Sequence, residues 1–131
     1  MTFDFYMEIL KNETGIEKGH PEYGGIAESL IEAVMCRQFM ELYGKDGLFA
    51  GFLTWEVRPN AENKKMIDLG ITNLIIKKTA SGTYTLMRAT NYLRAKYPNV
   101  AQFCWKKRRT GELKTFRQRG IKYAEATATA V

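Results

Sequence analysis

The sequence predicts a mixed α/β fold: one mainly antiparallel sheet flanked by helices. Three observations predict it. Helical apolar spacing is clear in only two places, over residues 25–37 and between Ser81 and Pro98. Around them run short stretches rich in β-branched and aromatic residues, punctuated by turn signals such as Asp46-Gly47 and Thr110-Gly111. The 131 residues, 45% apolar and 26% charged, suit a single soluble domain able to bury a core without metals or disulfides.

The elements follow from local pattern. Residues 3–10 are apolar at mixed spacing and fit a helix or a strand equally well. Residues 12–25 hold the Gly, Pro and Asn of a loop. Ile26, Leu30 and Val34 then recur every four residues, flanked by Ile31 and Met35, which marks an amphipathic helix. Residues 39–43 read as a strand, Gly44-Lys45-Asp46-Gly47 as a turn, and residues 48–57 as the returning arm. Strict alternation on that arm puts Phe49, Leu53, Trp55 and Val57 on one face and Ala50, Phe52, Thr54 and Glu56 on the other. After a polar loop, residues 71–76 form a short buried strand. Leu86, Thr90, Leu93 and Tyr97 stripe the next helix, which Pro98 stops. Residues 100–105 and 113–117 close the pattern as two strands joined by a turn, and residues 124–131 read as a loose tail or a docking strand.

Charge is unevenly spread along the chain. Residues 1–71 carry seven Lys/Arg against twelve Asp/Glu, whereas residues 72–131 carry thirteen against two. Part of the surface therefore attracts phosphates or acidic partners, unless the excess only solubilises the chain. The run 105–119 is a basic hairpin with interspersed aromatics, able to hold adenosine phosphates, an acidic carrier protein or a nucleic-acid backbone. Nothing pairs Cys36 with Cys104, so a reducing, cytoplasmic setting is expected, with a virion as the other setting considered. No apolar run is long enough to span a membrane, the first residues lack a basic stretch so no signal peptide is expected, and no metal-ligand spacing occurs.

The most informative stretch is 74–86. A buried strand ending at Ile76 runs through Lys77, Lys78 and Thr79-Ala80-Ser81-Gly82-Thr83 into a helix. Ser81 and Thr83 are N-cap types, and small Ala80 and Gly82 admit a ligand close to the backbone. Unpaired N–H groups at a helix start, with Lys77 and Lys78 beside them, suit a pyrophosphate. The alternative is an ordinary capped helix after a strand.

In element order and in the position of this turn, the chain resembles the GNAT acyltransferases. In that family a Gln/Arg-x-x-Gly-x-Gly/Ala loop cradles the pyrophosphate of an acyl-coenzyme A. The matching stretch here is Lys77-Lys78-Thr79-Ala80-Ser81-Gly82, with Lys77 in place of Gln/Arg and Ala80 in place of the first Gly. Within that fold the chain is similar to the toxin-activating lysine acyltransferases. The shared features are an early His (His20), Thr54-Trp55 at a strand end, the piece Leu93-Arg94-Ala95-Lys96-Tyr97-Pro98, and the closing basic stretch from Lys114 to Gly120. The resemblance covers roughly residues 20–120 and implies an acyl-coenzyme A or acyl carrier protein thioester as donor and an amine as acceptor. It also implies that backbone N–H groups around Ile76, Lys77 and Lys78 polarise the thioester carbonyl. That family pairs the early His with an Asp on the strand before the loop. The Asp position falls near Lys77 here, and Asp68 reads as lying one loop too early.

Three residues are catalytic candidates. His20, the only histidine, has a suitable pKa for a general base, although a lone loop His is commonly a surface residue. Glu56, near a strand end, is the other base, unless it is an ordinary solvent-facing Glu. Tyr84 either protonates a leaving thiolate or packs. Cys104 reads as a buried small side chain rather than a nucleophile. Two other readings stand beside acyl transfer. One is a non-catalytic binding or assembly module of the same fold, such as a viral or mobile-element structural protein. The other is a nonspecific nucleic-acid-associated basic protein.

Overall fold

A computed structural model describes residues 3–106 and 113–117 of the chain. The elements run α1 (Phe3–Thr14), α2 (Tyr23–Met35), β1 (Phe39–Tyr43), β2 (Phe49–Pro59), β3 (Ile67–Ile76), α3 (Gly82–Lys96), β4 (Val100–Lys106) and β5 (Leu113–Arg117). The five strands form one sheet in sequence order. β1 with β2 and β4 with β5 are antiparallel, and β3 with β4 is parallel. A parallel pair needs a crossover, and α3 supplies it. The fold is thus the expected mixed α/β type. Its described residues group into two compact units, one drawn from Met1–Trp55 and Thr72–Asn91, the other from Glu56–Ile71 and Tyr92–Val131.

In the first unit, the ambiguous N-terminal segment is helix. Tyr6, Met7, Ile9 and Leu10 are all buried in α1, a spacing that one helix face accommodates and a strand would split. Asp4 in its first turn and Lys11 in its last suit the helix dipole. Gly15, at φ 78°, ends it. α1 and α2 enclose a core of Tyr6, Met7, Leu10, Ile16, Leu30, Phe52 and Ile75. Tyr6 packs edge-on against Phe39 at 4.8 Å and Phe52 at 5.5 Å, and its hydroxyl donates to Glu41 at 3.0 Å. Burial, and next the Glu41 carboxylate, push the Tyr6 phenol up to about 12. The folded state therefore holds this proton more tightly than the unfolded chain. Its stabilising contribution is complete below the unfolded value near 10 and is lost as pH rises through about 12. Alkaline unfolding followed by circular dichroism should steepen in that window, and Tyr6→Phe should flatten it.

The core face of α2 differs from the expected line. Leu30 and Ala33 are buried, while Val34 and Ile31 are about half exposed. Small Ala33 permits the close approach to the core, and the larger apolar residues are left outside it. After α2 the chain turns through Arg37 at φ 58°, with the Gln38 N–H bonded to Ala33 O at 2.8 Å. This is a C-terminal left-handed cap in which glycine is the favoured residue. Arg37→Gly should stabilise the fold by about 0.5–1 kcal/mol, read as a higher denaturant midpoint at constant slope.

β2 does not keep strict alternation. The register passes from Leu42↔Gly51 to Tyr43↔Phe49, so Ala50 is an extra residue, a bulge. One added residue shifts the phase of a period-two pattern. Phe49 therefore packs on the same core cluster as Phe52, not on the opposite face. Both faces of β2 are buried from Ala50 to Trp55.

In the second unit, β3 begins at Ile67 rather than 71, and Ile67–Gly70 pair with β4. Asp68, expected before the strand, is thus on it. Arg58 lies over Gly70, where an added Cβ would sit 2.8 Å from Arg58 Cζ. Glu56 holds the guanidinium through its Nε at 2.6 Å. In α3, whose residues up to Asn91 belong to the first unit, the fully buried residues are Thr85, Ala89 and Leu93; Leu93 lies on the expected stripe, while Thr85 and Ala89 are buried in place of Leu86 and Thr90. The basic hairpin is described only as β4 and β5, paired from Gln102↔Arg117 to Lys106↔Leu113. Its turn, residues 107–112, and the tail 124–131 lie outside the described residues. No helix among the described residues is long and apolar enough to cross a membrane.

Candidate functional site

The site is built on the connection from β3 to α3, within the first unit. Ile76 ends β3, half-buried. Lys77 begins the loop with its N–H on the bulged Ala50 carbonyl at 2.7 Å, and the Ala80 N–H closes a turn onto Lys77 O at 3.0 Å. Ser81 is the N-cap of α3: its Oγ accepts from the Tyr84 N–H at 3.3 Å and its carbonyl accepts the Thr85 N–H at 3.0 Å. Gly82 and Thr83 stand exposed in the first turn. A Cβ added at Gly82 would meet nothing within 4 Å, so the space above this turn is open.

Against this loop folds the β1–β2 turn. Asp46 Oδ1 accepts the Leu48 N–H at 3.0 Å, Gly47 takes φ 80°, and the Gly44 N–H reaches Leu48 O at 2.9 Å. Turn and loop together line a cleft of about 370 Å³, with Lys45 and Asp46 on one side and Lys77, Thr79, Ala80 and Ser81 on the other. Of the candidate loop residues, Lys77, Ala80 and Ser81 line this cleft, together with Lys45, which no local pattern marked. Two ammonium groups and a helix N-terminus favour an anion there, and Asp46 tempers them.

The expected oxyanion donors are differently employed. The Lys77 N–H is given to Ala50 O, and the Lys78 N–H is given to Glu13 Oε1 at 2.7 Å. Glu13 lies at the end of α1, where a carboxylate is disfavoured by the helix dipole, and this contact gives it a donor. In this arrangement neither amide is free to polarise a thioester carbonyl.

The catalytic candidates occupy distinct local settings. His20 is exposed in the loop before α2, and its Nδ1 accepts the Glu22 N–H at 3.0 Å while its carbonyl accepts the Tyr23 N–H at 3.0 Å. The neutral ring then carries its proton on Nε2, a tautomer inferred from that bond. Tyr84 is half-buried in the first turn of α3. Glu56, in the second unit, is half-buried and paired with Arg58. Asp68, in the same unit, accepts from Asn60 Nδ2 at 2.7 Å and from Gln102 Nε2 at 2.9 Å, which occupies both carboxylate oxygens. Cys104 stands across from Gly70 on β4. Burial and then the Asp68 charge push its thiol up, partly offset by Arg58, so it is a poor nucleophile.

Thr54, fully buried, anchors a polar network that sequence pattern did not reveal. Its Oγ1 lies 2.6 Å from Thr72 Oγ1 and accepts from Asn73 Nδ2 at 2.8 Å, and Asn73 also reaches Ser29 Oγ at 3.0 Å. No group of three or more His, Cys, Asp or Glu that could hold a metal occurs among the described residues. Compared with known proteins, the chain matches no protein-family profile, no curated protein and no solved structure.

Proposed function

We propose that the chain binds an acyl-coenzyme A or acyl carrier protein thioester and transfers its acyl group to an amine. The observation that carries this reading is the cleft between the β1–β2 turn and the β3–α3 loop, with Lys45 and Lys77 on its walls and the N-terminus of α3 beside it. Phosphate oxygens of the donor accept from these ammonium groups and from the first N–H groups of α3. The amine attacks the thioester carbonyl, a C–N bond forms, and the C–S bond breaks. A base, His20 or Glu56, takes the proton of the amine, and Tyr84 returns one to the leaving thiolate. His20 Nδ1 accepts the Glu22 amide at the approach to α2. The GNAT resemblance supports the same reading through the order of strands, crossover helix and loop. A cytoplasmic setting goes with such donors.

Titration calorimetry with acetyl-, butyryl- and palmitoyl-coenzyme A at moderate salt tests it. Saturable binding of at least one donor is the expected result, and absence of binding by a folded protein to all three and to an acylated carrier protein sinks it. A second reading, a non-catalytic assembly module, is favoured by the engaged Lys77 and Lys78 amides and by the uncovered apolar face of α2. Association with nucleic acid through the basic hairpin remains a third, to be read from a steep salt dependence of binding.

A further inference from the structure

We infer that the rim formed by β1 and α2 is a two-fold interface between copies of this chain. On α2, Ile31, Val34 and Met35 are 47%, 49% and 79% exposed. With Phe3, Tyr6 and Phe39 they line an apolar groove of about 460 Å³. A polar helix face would be expected at a surface facing water, so this one is built to be covered.

The strand beside the groove says what covers it. β1 is an edge strand of the sheet among the described residues. Trp55 N–H donates to Gln38 O at 3.1 Å, and Phe39 lies opposite Thr54. This phase turns the main-chain groups of Met40 toward β2 and those of Phe39 and Glu41 away from it. The strand Phe-Met-Glu-Leu-Tyr has neither the Lys nor the Pro that commonly blunts an edge. An antiparallel β1–β1 pair with the axis beside Met40 sets Phe39 of each copy opposite Glu41 of the other. That register is self-complementary, as a two-fold interface requires, and it avoids placing Glu41 against itself. It also brings the apolar faces of the two α2 helices together, because Phe39 joins strand and groove. A stable interface needs about 800 Å² from each partner, and Ile31, Val34 and Met35 supply on the order of 300 Å² before the strand edge and the three aromatics contribute.

Sedimentation equilibrium of the full 15.0 kDa chain should show a dimer that dissociates on dilution. Met35→Glu, at a side chain outside the core, should weaken it at least tenfold while the circular dichroism of the dissociated chain stays that of the wild type. Hydrogen exchange of the unaltered protein gives a measurement independent of any variant: the Phe39 and Glu41 amides should be protected at high concentration and lose protection on dilution. A chain monomeric up to about 200 µM overturns the inference, whether the groove is then empty or covered by the chain's own residues 118–131. So does a dimer indifferent to Met35→Glu, or exchange at Phe39 and Glu41 that does not depend on concentration.

Discussion

Gly51→Ala should lower the stability of the protein sharply. Gly51 sits beside the bulge in β2 at φ 151°, a conformation that L side chains rarely adopt. A Cβ there would lie 1.9 Å from the carbonyl oxygen of Ile75 and 2.9 Å from its carbon. Those are backbone atoms of β3, so no rotamer change relieves the clash. Backbone strain of about 1–3 kcal/mol and overpacking of similar size add to roughly 2–6 kcal/mol, a large part of the 5–15 kcal/mol that holds a domain together. The melting temperature should fall by about 10–20 °C, measured by calorimetry at neutral pH. Gly82→Ala is the internal comparison. Its Cβ meets nothing within 4 Å, and the melting temperature should stay within a few degrees of the wild type. An equal loss in both variants would remove the steric argument.

That glycine also shows why part of the fold was legible and part was not. The strands 39–43 and 113–117 stand in the structure with the bounds that their residues indicate, because turn residues bracket each apolar run. Alternation on β2 gave the wrong face for Phe49, because the bulge at Ala50 is decided by the carbonyl it presents to Lys77 across the sheet. Nothing in residues 48–57 encodes that partner. The face of α2 was misplaced for a related reason. Periodicity weights large apolar side chains such as Val34, whereas close packing selected small Ala33. If the α2 rim is an interface, Val34 and Met35 follow the apolar pattern for a partner rather than for the core.

The candidate site divides in the same way. Lys77, Ala80 and Ser81 lie in one short stretch of chain, so a strand–loop–helix pattern finds them together. Lys45 reaches the cleft only because the β1–β2 turn folds onto that loop. Glu13 meets the Lys78 amide from 65 positions away, beyond any local signal. Asp68 reads from sequence as lying one loop before the strand, yet parallel pairing with β4 carries β3 back to Ile67.

Gly82→Arg should abolish donor binding while leaving the fold intact. The position is exposed in the first turn of α3, has no left-handed φ, and faces open space. Arginine is also a better helix former than glycine, so stability should hold or rise slightly. The long side chain would instead fill the volume from which a phosphate reaches the first N–H groups of the helix, and its own guanidinium would compete for those oxygens. A loss of at least 100-fold in affinity for acyl-coenzyme A is expected by titration calorimetry, with circular dichroism unchanged. Under the proposed function, Glu13→Gln should move affinity the other way, by about 3- to 10-fold, because it removes a negative charge held on the Lys78 amide of the same loop. Raising salt should shrink that difference, since exposed charges are screened over about 10 Å. If Gly82→Arg binds as the wild type does, the donor lies elsewhere on the chain. If both variants leave affinity untouched although the wild type binds, the cleft is a surface feature and the reading built on it fails.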